Sequence, residues 1–204
     1  MQAEISSRIP RWVRAIFVAN LVAQSAIIVT GAVVRLTGSG LGCPTWPQCV
    51  EGSYTPTARQ EEVFHKYIEF GNRLLTFVLV IIAIAVLVAV FINVRSRRRA
   101  GIAQRPAIIV LSVIPFVGTA VQAVLGGVTV LTGLHPLIVS AHFLLSMVLV
   151  TAAVALVARS GDPGDQPVIR LAPTPVRFLT WLMVSVAALV VVLGVITTGS
   201  GPHS

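Results

Sequence analysis

Four side chains that can carry charge, bind a metal or donate hydrogen bonds stand directly before a long apolar run: His65, Glu69, Asn72 and Arg73. Spacings of four and seven residues place the first three on one face of a helix. Arg73 follows Glu69 by four residues, so the two can form an ion pair. We interpret the group as part of a binding or catalytic site. The alternative is an interfacial cap whose charged side chains extend into lipid headgroups.

A second candidate is His142, which lies in the apolar segment PLIVSAHFLLSMVLV. It follows Pro136 by six residues, which places it about 9 Å into a predicted helix. An ionisable group inside a membrane span is costly and is usually retained for function. We therefore interpret His142 as a heme or metal ligand. His135, which precedes a proline in a loop, is expected at the surface, and His203 receives no role.

The kind of cofactor follows from how few ligands are close together in the sequence. A transition-metal site needs three or four close ligands, whereas two histidines on separate helices suit heme. Facing helices of a bundle commonly hold cofactors in this way. Gly126, Gly127 and Gly133 in the third predicted helix would allow a backbone or a flat macrocycle to approach closely. Plain helix packing accounts equally well for any one of these glycines.

The composition requires these residues to be positioned by membrane helices. The 204 residues are 55% hydrophobic and 11% charged, with a mean hydropathy of +0.90, whereas soluble domains carry about 25% charged residues. Five apolar segments reach the roughly 20 residues that a membrane-spanning helix needs. We predict an all-α transmembrane helical bundle. Its five spans are Ala15–Val34, Leu74–Val94, Pro106–Leu134, Pro136–Ala158 and Phe178–Thr198.

The distribution of the 15 Lys and Arg residues predicts the orientation of the spans. One side carries Arg8, Arg11, Arg14, Arg95, Arg97, Arg98, Arg99, Arg105, Arg159, Arg170 and Arg177. The other side carries Arg35, Arg59, Lys66 and Arg73. The side with more positive charge should be cytoplasmic, so we expect the N-terminus inside and the loop 35–70 outside. Topology thus accounts for the net charge of +8, and nucleic-acid binding is not expected.

The two cysteines lie in the predicted outer loop, in the segment GCPTWPQC. An extracytoplasmic compartment permits a disulfide between Cys43 and Cys49, and the prolines could bend the segment enough to join them. Free thiols are the alternative. Half of a metal site is not expected, because the chain has no second cysteine pair.

A short repeat predicts the larger architecture. GAVVRLTGSG, residues 31–40, ends the first span, and GVITTGSG, residues 194–201, ends the fifth span at the same predicted side. This matching position predicts two four-helix halves in the same orientation. Residues 1–160 would form the first half with the heme site. Residues 161–204 would form a cytoplasmic linker and the first helix of a second half, so that the chain is a fragment of an eight-helix protein. The alternative is a natural five-helix protein.

Taken together, these segments resemble the heme A synthase family. The resemblance rests on TGAVVRLTGSGLGCPTWPQC, YIEFGNRLLTF, QAVLGGVTVLTGL, IVSAHFLLS and TTGSGPHS. It implies an eight-helix plasma-membrane enzyme that oxidises a porphyrin methyl group of heme O to a formyl group, which gives heme A. In this family the product goes to heme-copper terminal oxidases. The first half holds the reacting heme, and the second half holds a heme b.

The resemblance also implies roles for individual residues. Glu69 matches the glutamate of the family's Glu-x-x-His pattern, which implies a catalytic role as a proton acceptor or orienting carboxylate. Arg73 matches the basic residue after that histidine and is expected to hold Glu69 ionised or to pair with a heme propionate. His142 matches the heme-ligand histidine of the fourth helix. Cys43 and Cys49 match the disulfide pair of the outer loop.

One position departs from the family pattern, because Asn72 stands where the pattern has histidine. Asparagine is a poor iron ligand beside imidazole. Either His65, two turns earlier on the same face, supplies the second ligand to an iron bound by His142, or one axial position is open. Asn72 would then line the cofactor site without ligating the iron.

The expected partners follow from the same resemblance. They are heme O as substrate, the membrane lipid, heme O synthase and terminal oxidase assembly factors, and the sequence leaves a homo-oligomer open. Two other functions remain as alternatives. One is a cytochrome b-like electron-transfer subunit with a fixed heme, which bis-histidine ligation would favour. The other is a transporter whose third helix is broken at Pro115.

Overall fold

The computed structural model describes residues 8–58, 64–162 and 172–200. Within these ranges the chain forms five helices: α1 (Arg11–Leu36), α2 (His65–Arg99), α3 (Pro106–Leu131), α4 (Pro136–Gly161) and α5 (Thr174–Gly199). All five are long and apolar enough to cross a membrane. The predicted all-α transmembrane bundle with five spans is therefore confirmed. His203 and most of the predicted linker lie outside the described residues.

The largest difference from the predicted spans is at the start of α2. The helix begins at His65 rather than at Leu74 and runs for 35 residues. Hydropathy marks only the apolar run, whereas the helix continues into the polar segment because its side chains find partners there. As a result, the polar group from His65 to Arg73 lies on the same continuous helix as the span.

The first four helices form a closed ring. α1 packs against α2 and α4, and α3 packs against the same two helices. α2 and α4 therefore occupy opposite corners and face each other across the interior of the bundle. α5 packs mainly against α4, and none of its side chains is buried within the described part of the chain.

The interior changes character along the bundle axis. At the end where α1 begins, apolar side chains fill the space: Ile9, Val13, Phe17, Val86, Ala89, Val90, Ile108 and Leu156. Further along, polar side chains are buried, and Gln24 Nε2 donates to Thr119 Oγ1 at 3.4 Å. This bond joins α1 to α3 across the ring, since those helices also occupy opposite corners. Hydrogen bonds of this kind hold helices together where hydrocarbon offers no other partner.

Pro115 does not break the third helix. α3 is continuous from Pro106 to Leu131, and Pro115 is buried within it. The break predicted by the transporter alternative is therefore wrong for this helix. A proline is tolerated inside a membrane helix when neighbouring groups and small local adjustments satisfy the backbone group that it frees.

The threonines of the repeated Thr-Gly-Ser segments make the same hydrogen bonds to their helices. Thr37 Oγ1 donates to the carbonyl oxygens four and three residues earlier, at 2.7 and 3.3 Å. Thr198 Oγ1 makes the same two bonds at 2.9 and 3.1 Å. The threonine hydrogen bonds of the repeat therefore match, although α1 ends before Thr37 and α5 continues to Gly199. The two four-helix halves remain a prediction.

Candidate functional site

The loop between α1 and α2 folds over one end of the bundle, and we call its described part, residues 37–58, the cap. Cys43 and Cys49 form a disulfide with an S–S distance of 2.06 Å, and both residues are buried. The disulfide is therefore confirmed, and the alternative of two free thiols is wrong. The bridge closes a short loop that contains Trp46.

Glu69 anchors this cap to α2. Its Oε2 atom accepts a hydrogen bond from the backbone N–H of Cys43 at 2.7 Å. Its Oε1 atom accepts from Nε and Nη2 of Arg73 at 3.0 and 2.6 Å. The ion pair predicted from the four-residue spacing is thus confirmed. The residue is only 5% exposed, so this carboxylate is held by fixed donors rather than by solvent.

The Arg73 guanidinium is the second anchor. Besides its two bonds to Glu69, it donates to the backbone carbonyl oxygens of Thr45 at 2.9 Å, Gln48 at 3.1 Å and Cys43. A guanidinium has five N–H donors, and these contacts provide an acceptor for each of them. Arg73 would have to exchange cap contacts before it could bind a heme propionate as the sequence predicts.

His65 lies at the first residue of α2 and contacts the end of α1. Its Nδ1 atom is 2.9 Å from Ser39 Oγ, which is 2.6 Å from Thr37 Oγ1. Gly42 packs directly on the backbone here, because a Cβ atom at Gly42 would be 2.6 Å from the His65 carbonyl group. The Thr-Gly-Ser segment thus links the end of α1 to the start of α2.

Asn72 faces α1 from two helical turns deeper than His65. Its Oδ1 atom accepts a hydrogen bond from Thr30 Oγ1 at 2.7 Å. His65, Glu69 and Asn72 therefore all make contacts with α1 or with the cap that follows it, as their predicted shared face requires. The amide oxygen of Asn72 is already occupied by a protein donor.

His142 lies on α4, at the opposite corner of the ring. Its carbonyl oxygen accepts from Gln122 Nε2 at 3.0 Å, and the same amide group donates to Ser146 Oγ. The imidazole packs against Gly126, where a Cβ atom would be 3.2 Å from His142 Cε1. Its Nδ1 atom is buried and has no hydrogen-bond partner within residues 8–58, 64–162 and 172–200.

The helical rise shows which candidate residues share a level. His142 lies about 9 Å from the start of α4, and Asn72 lies about 10 Å from the start of α2. His65 lies at the very start of α2, about 10 Å along the axis from Asn72. Val86 of α2 and Leu156 of α4 belong to one core cluster, and Asn72 and His142 precede them by the same number of residues, so Asn72 is nearer than His65 to the level of His142. Ligation of one iron by both histidines stays a prediction.

The surroundings of His142 fit a heme better than a metal held by several side chains. Among the residues that the structure describes, no three His, Cys, Asp or Glu side chains come together as a metal site. An imidazole that rests on a glycine and has an unpartnered ring nitrogen is a suitable iron ligand. The few metal-binding side chains near His142 therefore fit a cofactor such as heme, in which the macrocycle itself supplies most of the iron ligands.

Trp46 is the residue of this region that the sequence did not identify as part of the site. Its indole ring lies on Gly127 of α3, where a Cβ atom would be only 2.5 Å from the ring. The only sequence signal was Gly127 itself, which indicates a close approach without naming the group that approaches. The two adjacent glycines of α3 thus contact different rings. The imidazole of His142 packs on Gly126, and the indole of Trp46 packs on Gly127.

Gly127→Ala is expected to displace Trp46 from the bundle. The added methyl group would overlap the indole, and overpacking of this kind costs about 1–3 kcal/mol. With Trp12 and Trp181 replaced by phenylalanine, the fluorescence of Trp46 should shift to longer wavelength. Gly31→Ala is the matched control, because nothing lies within 4 Å of its Cβ position. An unchanged Trp46 spectrum in the Gly127 variant would contradict the packing described.

Fold and site together define a multi-pass helical membrane protein with a histidine and a capped carboxylate on facing helices. Residues 14–201 match the family model described as cytochrome oxidase assembly protein, COX15-CtaA. The chain therefore belongs to this family, the heme A synthase family that its motifs predicted. Membership places the chain among membrane proteins with heme-related cofactor chemistry.

Several curated heme A synthases are similar to the chain. The protein of Geobacillus thermodenitrificans is 32% identical over 117 residues, which cover 57% of this chain and 32% of that protein. The protein of Geobacillus kaustophilus is 33% identical over 117 residues, with the same coverage. The protein of Listeria monocytogenes is 29% identical over 140 residues, covering 68% of this chain and 42% of that protein. The chain thus spans less than half the length of these relatives. No solved structure matches it significantly.

Proposed function

We propose that this chain is part of a heme A synthase that oxidises a methyl group of heme O to a formyl group. The reacting heme would lie in the half of the bundle beneath the cap, between α2 and α4. The observation that carries the proposal is the buried Nδ1 atom of His142, which has no partner among the described residues and lies on the helix opposite the Glu69–Arg73 pair. Family membership supports the same reaction.

We propose that His142 is the protein ligand of the heme iron. Gln122 fixes the α4 backbone at this residue through the His142 carbonyl, and Gly126 provides the surface against which the imidazole rests. The heme supplies the redox chemistry of iron, and the protein supplies ligation, orientation and a dry surrounding. Asn72 lines the site without ligating iron, since its Oδ1 atom accepts from Thr30. In this arrangement His142, rather than His65, would hold the heme iron.

Glu69 and Arg73 position the cap in this proposal. Both oxygens of the carboxylate accept fixed hydrogen bonds, and each guanidinium N–H has an acceptor. A carboxylate held in this way is better suited to orienting its surroundings than to moving freely towards a substrate proton. The pair would keep Trp46 and the disulfide loop closed over the site and exclude water from it.

The complete protein would contain two four-helix halves, with heme b in the second half. The matching hydrogen bonds of Thr37 and Thr198 support this arrangement, as does α5, whose side chains are unburied in the described part of the chain. Heme O synthase and terminal oxidase assembly factors are the proposed protein partners, because they stand before and after this reaction. A homo-oligomer is also compatible with the exposed face of α5.

We further propose that the protein lies in the plasma membrane with its N-terminus in the cytoplasm and the cap outside. The clustering of Lys and Arg at the end opposite the cap supports this orientation. A membrane-impermeant maleimide should label a His135→Cys variant in intact cells but not an Ala103→Cys variant. The reverse labelling pattern would reject the orientation.

The proposed reaction is tested in cells that make heme O but lack their own heme A synthase. Expression of the full protein should produce heme A in the extracted pigments. A bound heme b with no heme A formed would instead indicate the cytochrome b-like electron-transfer function.

A further inference from the structure

An open groove lies at the end of α2 that is farthest from the cap. It has a volume of about 450 Å³ and is lined by Phe91, Ile92, Arg95, Ser96, Arg99 and Ala100. These residues belong to the last turns of α2 and the residue that follows them. The groove is separate from the site around His142, because the two lie towards opposite ends of the bundle.

The groove is an open surface along one face of α2, apolar at Phe91 and Ile92 and cationic at Arg95 and Arg99. Phe91 is 63% exposed and Ile92 is 48% exposed, and both belong to the lipid-facing part of α2. Arg95 and Arg99 are exposed and lie one helical turn apart, at positions i and i+4. The hydroxyl-bearing Ser96 lies between them in the chain. The groove therefore spans the boundary between the hydrocarbon and headgroup regions of a membrane.

The two arginines differ from Arg97 and Arg105, which hold the fold together at this end of the bundle. Arg97 is buried and donates from Nε and Nη2 to the carbonyl oxygen of Ala103. Arg105 holds the end of α4 through the carbonyl oxygens of Arg159 and Asp162. By contrast, the side chains of Arg95 and Arg99 have no hydrogen-bond or ion-pair partner anywhere in the three described ranges.

This arrangement stabilises an anion. Two like charges at positions i and i+4 repel each other and destabilise the helix, and an anion between them removes that repulsion. Guanidinium groups make short, charge-assisted hydrogen bonds to phosphate oxygens. The adjoining Phe91 and Ile92 would have no role in binding a free phosphate, but they offer a surface to an acyl chain. The chemistry therefore fits a phosphate that is attached to a lipid.

We propose that this groove binds one anionic phospholipid, with its phosphate between Arg95 and Arg99 and an acyl chain along Phe91 and Ile92. In this site the positions of Arg95 and Arg99 would hold the lipid at the end of α2, in addition to the general positive charge of this membrane face. The proposal is independent of heme chemistry and of the direction in which the chain crosses the membrane.

The test measures lipid retained by the full protein in a neutral detergent by native mass spectrometry. Phosphatidylglycerol is added in one arm, phosphatidylcholine in a second, and phosphatidylglycerol with excess inorganic phosphate in a third. Arg95→Gln and Arg99→Gln should each lower the affinity for phosphatidylglycerol about tenfold, the effect of losing one charge-assisted hydrogen bond to the phosphate. Phosphatidylcholine should not be retained, and phosphate should not compete.

Arg98→Gln is the matched control. Arg98 is exposed in the same turn and carries the same charge, but it does not line the groove, so this variant should retain phosphatidylglycerol like the unaltered protein. Equal losses in all three variants would reject the site in favour of general electrostatic attraction. Displacement by inorganic phosphate would show an anion site without lipid specificity and would also overturn the proposal. Unchanged thermal unfolding of the variants establishes that they are folded.

Discussion

His142→Ala is expected to remove one heme per protein while the helices stay folded. His142 is the imidazole that the structure places beside Gly126 with an unpartnered ring nitrogen, and imidazole is a strong iron ligand. Without it, the surroundings offer a glycine and amide groups, which bind iron weakly. The heme-to-protein ratio of the purified protein, measured by the absorbance of the extracted heme, checks this expectation. Helical circular dichroism measures whether the bundle remains folded.

Two other histidines provide the controls for this experiment. His135→Ala should retain all heme, because His135 is exposed in the turn before α4. His65→Ala should leave the heme spectrum unchanged, because the proposal assigns the iron to His142 and the His65 ring contacts Ser39. A changed spectrum in that variant would assign His65 as the second ligand instead. Full heme content in His142→Ala would contradict the assigned iron ligand.

Arg73→Met is expected to release the cap from the bundle. The variant loses every guanidinium contact to the cap and leaves the nearly buried Glu69 carboxylate without its cation. Breaking a buried ion pair by removing one partner costs about 3–5 kcal/mol. The lower end applies here, because the Arg73 side chain is 20% exposed. Thermal unfolding should therefore occur at a clearly lower temperature.

The Cys43–Cys49 disulfide provides a second measure of cap release, because it belongs to the cap and is buried while the cap is closed. Mild reduction followed by alkylation should modify both cysteines faster in Arg73→Met than in the unaltered protein. Arg35→Met is the matched control, since Arg35 is exposed and its side chain donates, within the described segments, only to the carbonyl oxygen of Thr198. Equal reduction rates in both variants would contradict the anchoring role of Arg73.

Glu69→Gln distinguishes positioning from direct catalysis. Glutamine keeps the size of the side chain and can still accept from the Cys43 N–H, but it loses the charge that pairs with Arg73. A positioning role predicts that heme O accumulates and that the disulfide is reduced faster. Accumulation of heme O with an unchanged reduction rate would show that Glu69 acts on the substrate itself.

The features that follow local periodicity were predictable from the sequence. The five spans follow from apolar length, and the Glu69–Arg73 ion pair follows from a four-residue spacing. The shared direction of His65 and Asn72 towards α1 and the cap follows from the same helical geometry. In each case the relevant partners lie on one helix or within one segment, where the helical repeat fixes their relative positions.

The contacts between distant segments could not be predicted in the same way. Arg73 donates to three backbone carbonyl oxygens of the cap, and every residue type presents such an oxygen, so the sequence carries no sign of them. The indole of Trp46 rests on Gly127, far away in the chain. The glycine indicated a close contact, but only the fold identifies its partner.

The start of α2 illustrates the same limit. Hydropathy placed the second span at Leu74–Val94, whereas the helix begins at His65. Contacts from Ser39 and Gly42 surround its first turn, and these contacts exist only after the cap has folded. A polar segment with tertiary partners can therefore extend a membrane helix beyond its apolar run.

Mass spectrometry of hemes extracted from cells that make heme O, but have no other heme A synthase, tests the proposed reaction most directly. Cells that express the full protein should contain heme A, identified by the mass change from a methyl to a formyl group. Cells that express Glu69→Gln should contain mainly heme O. If the unaltered protein is present in the membrane and binds heme, but the extracts contain heme O and no heme A, the proposed function is wrong.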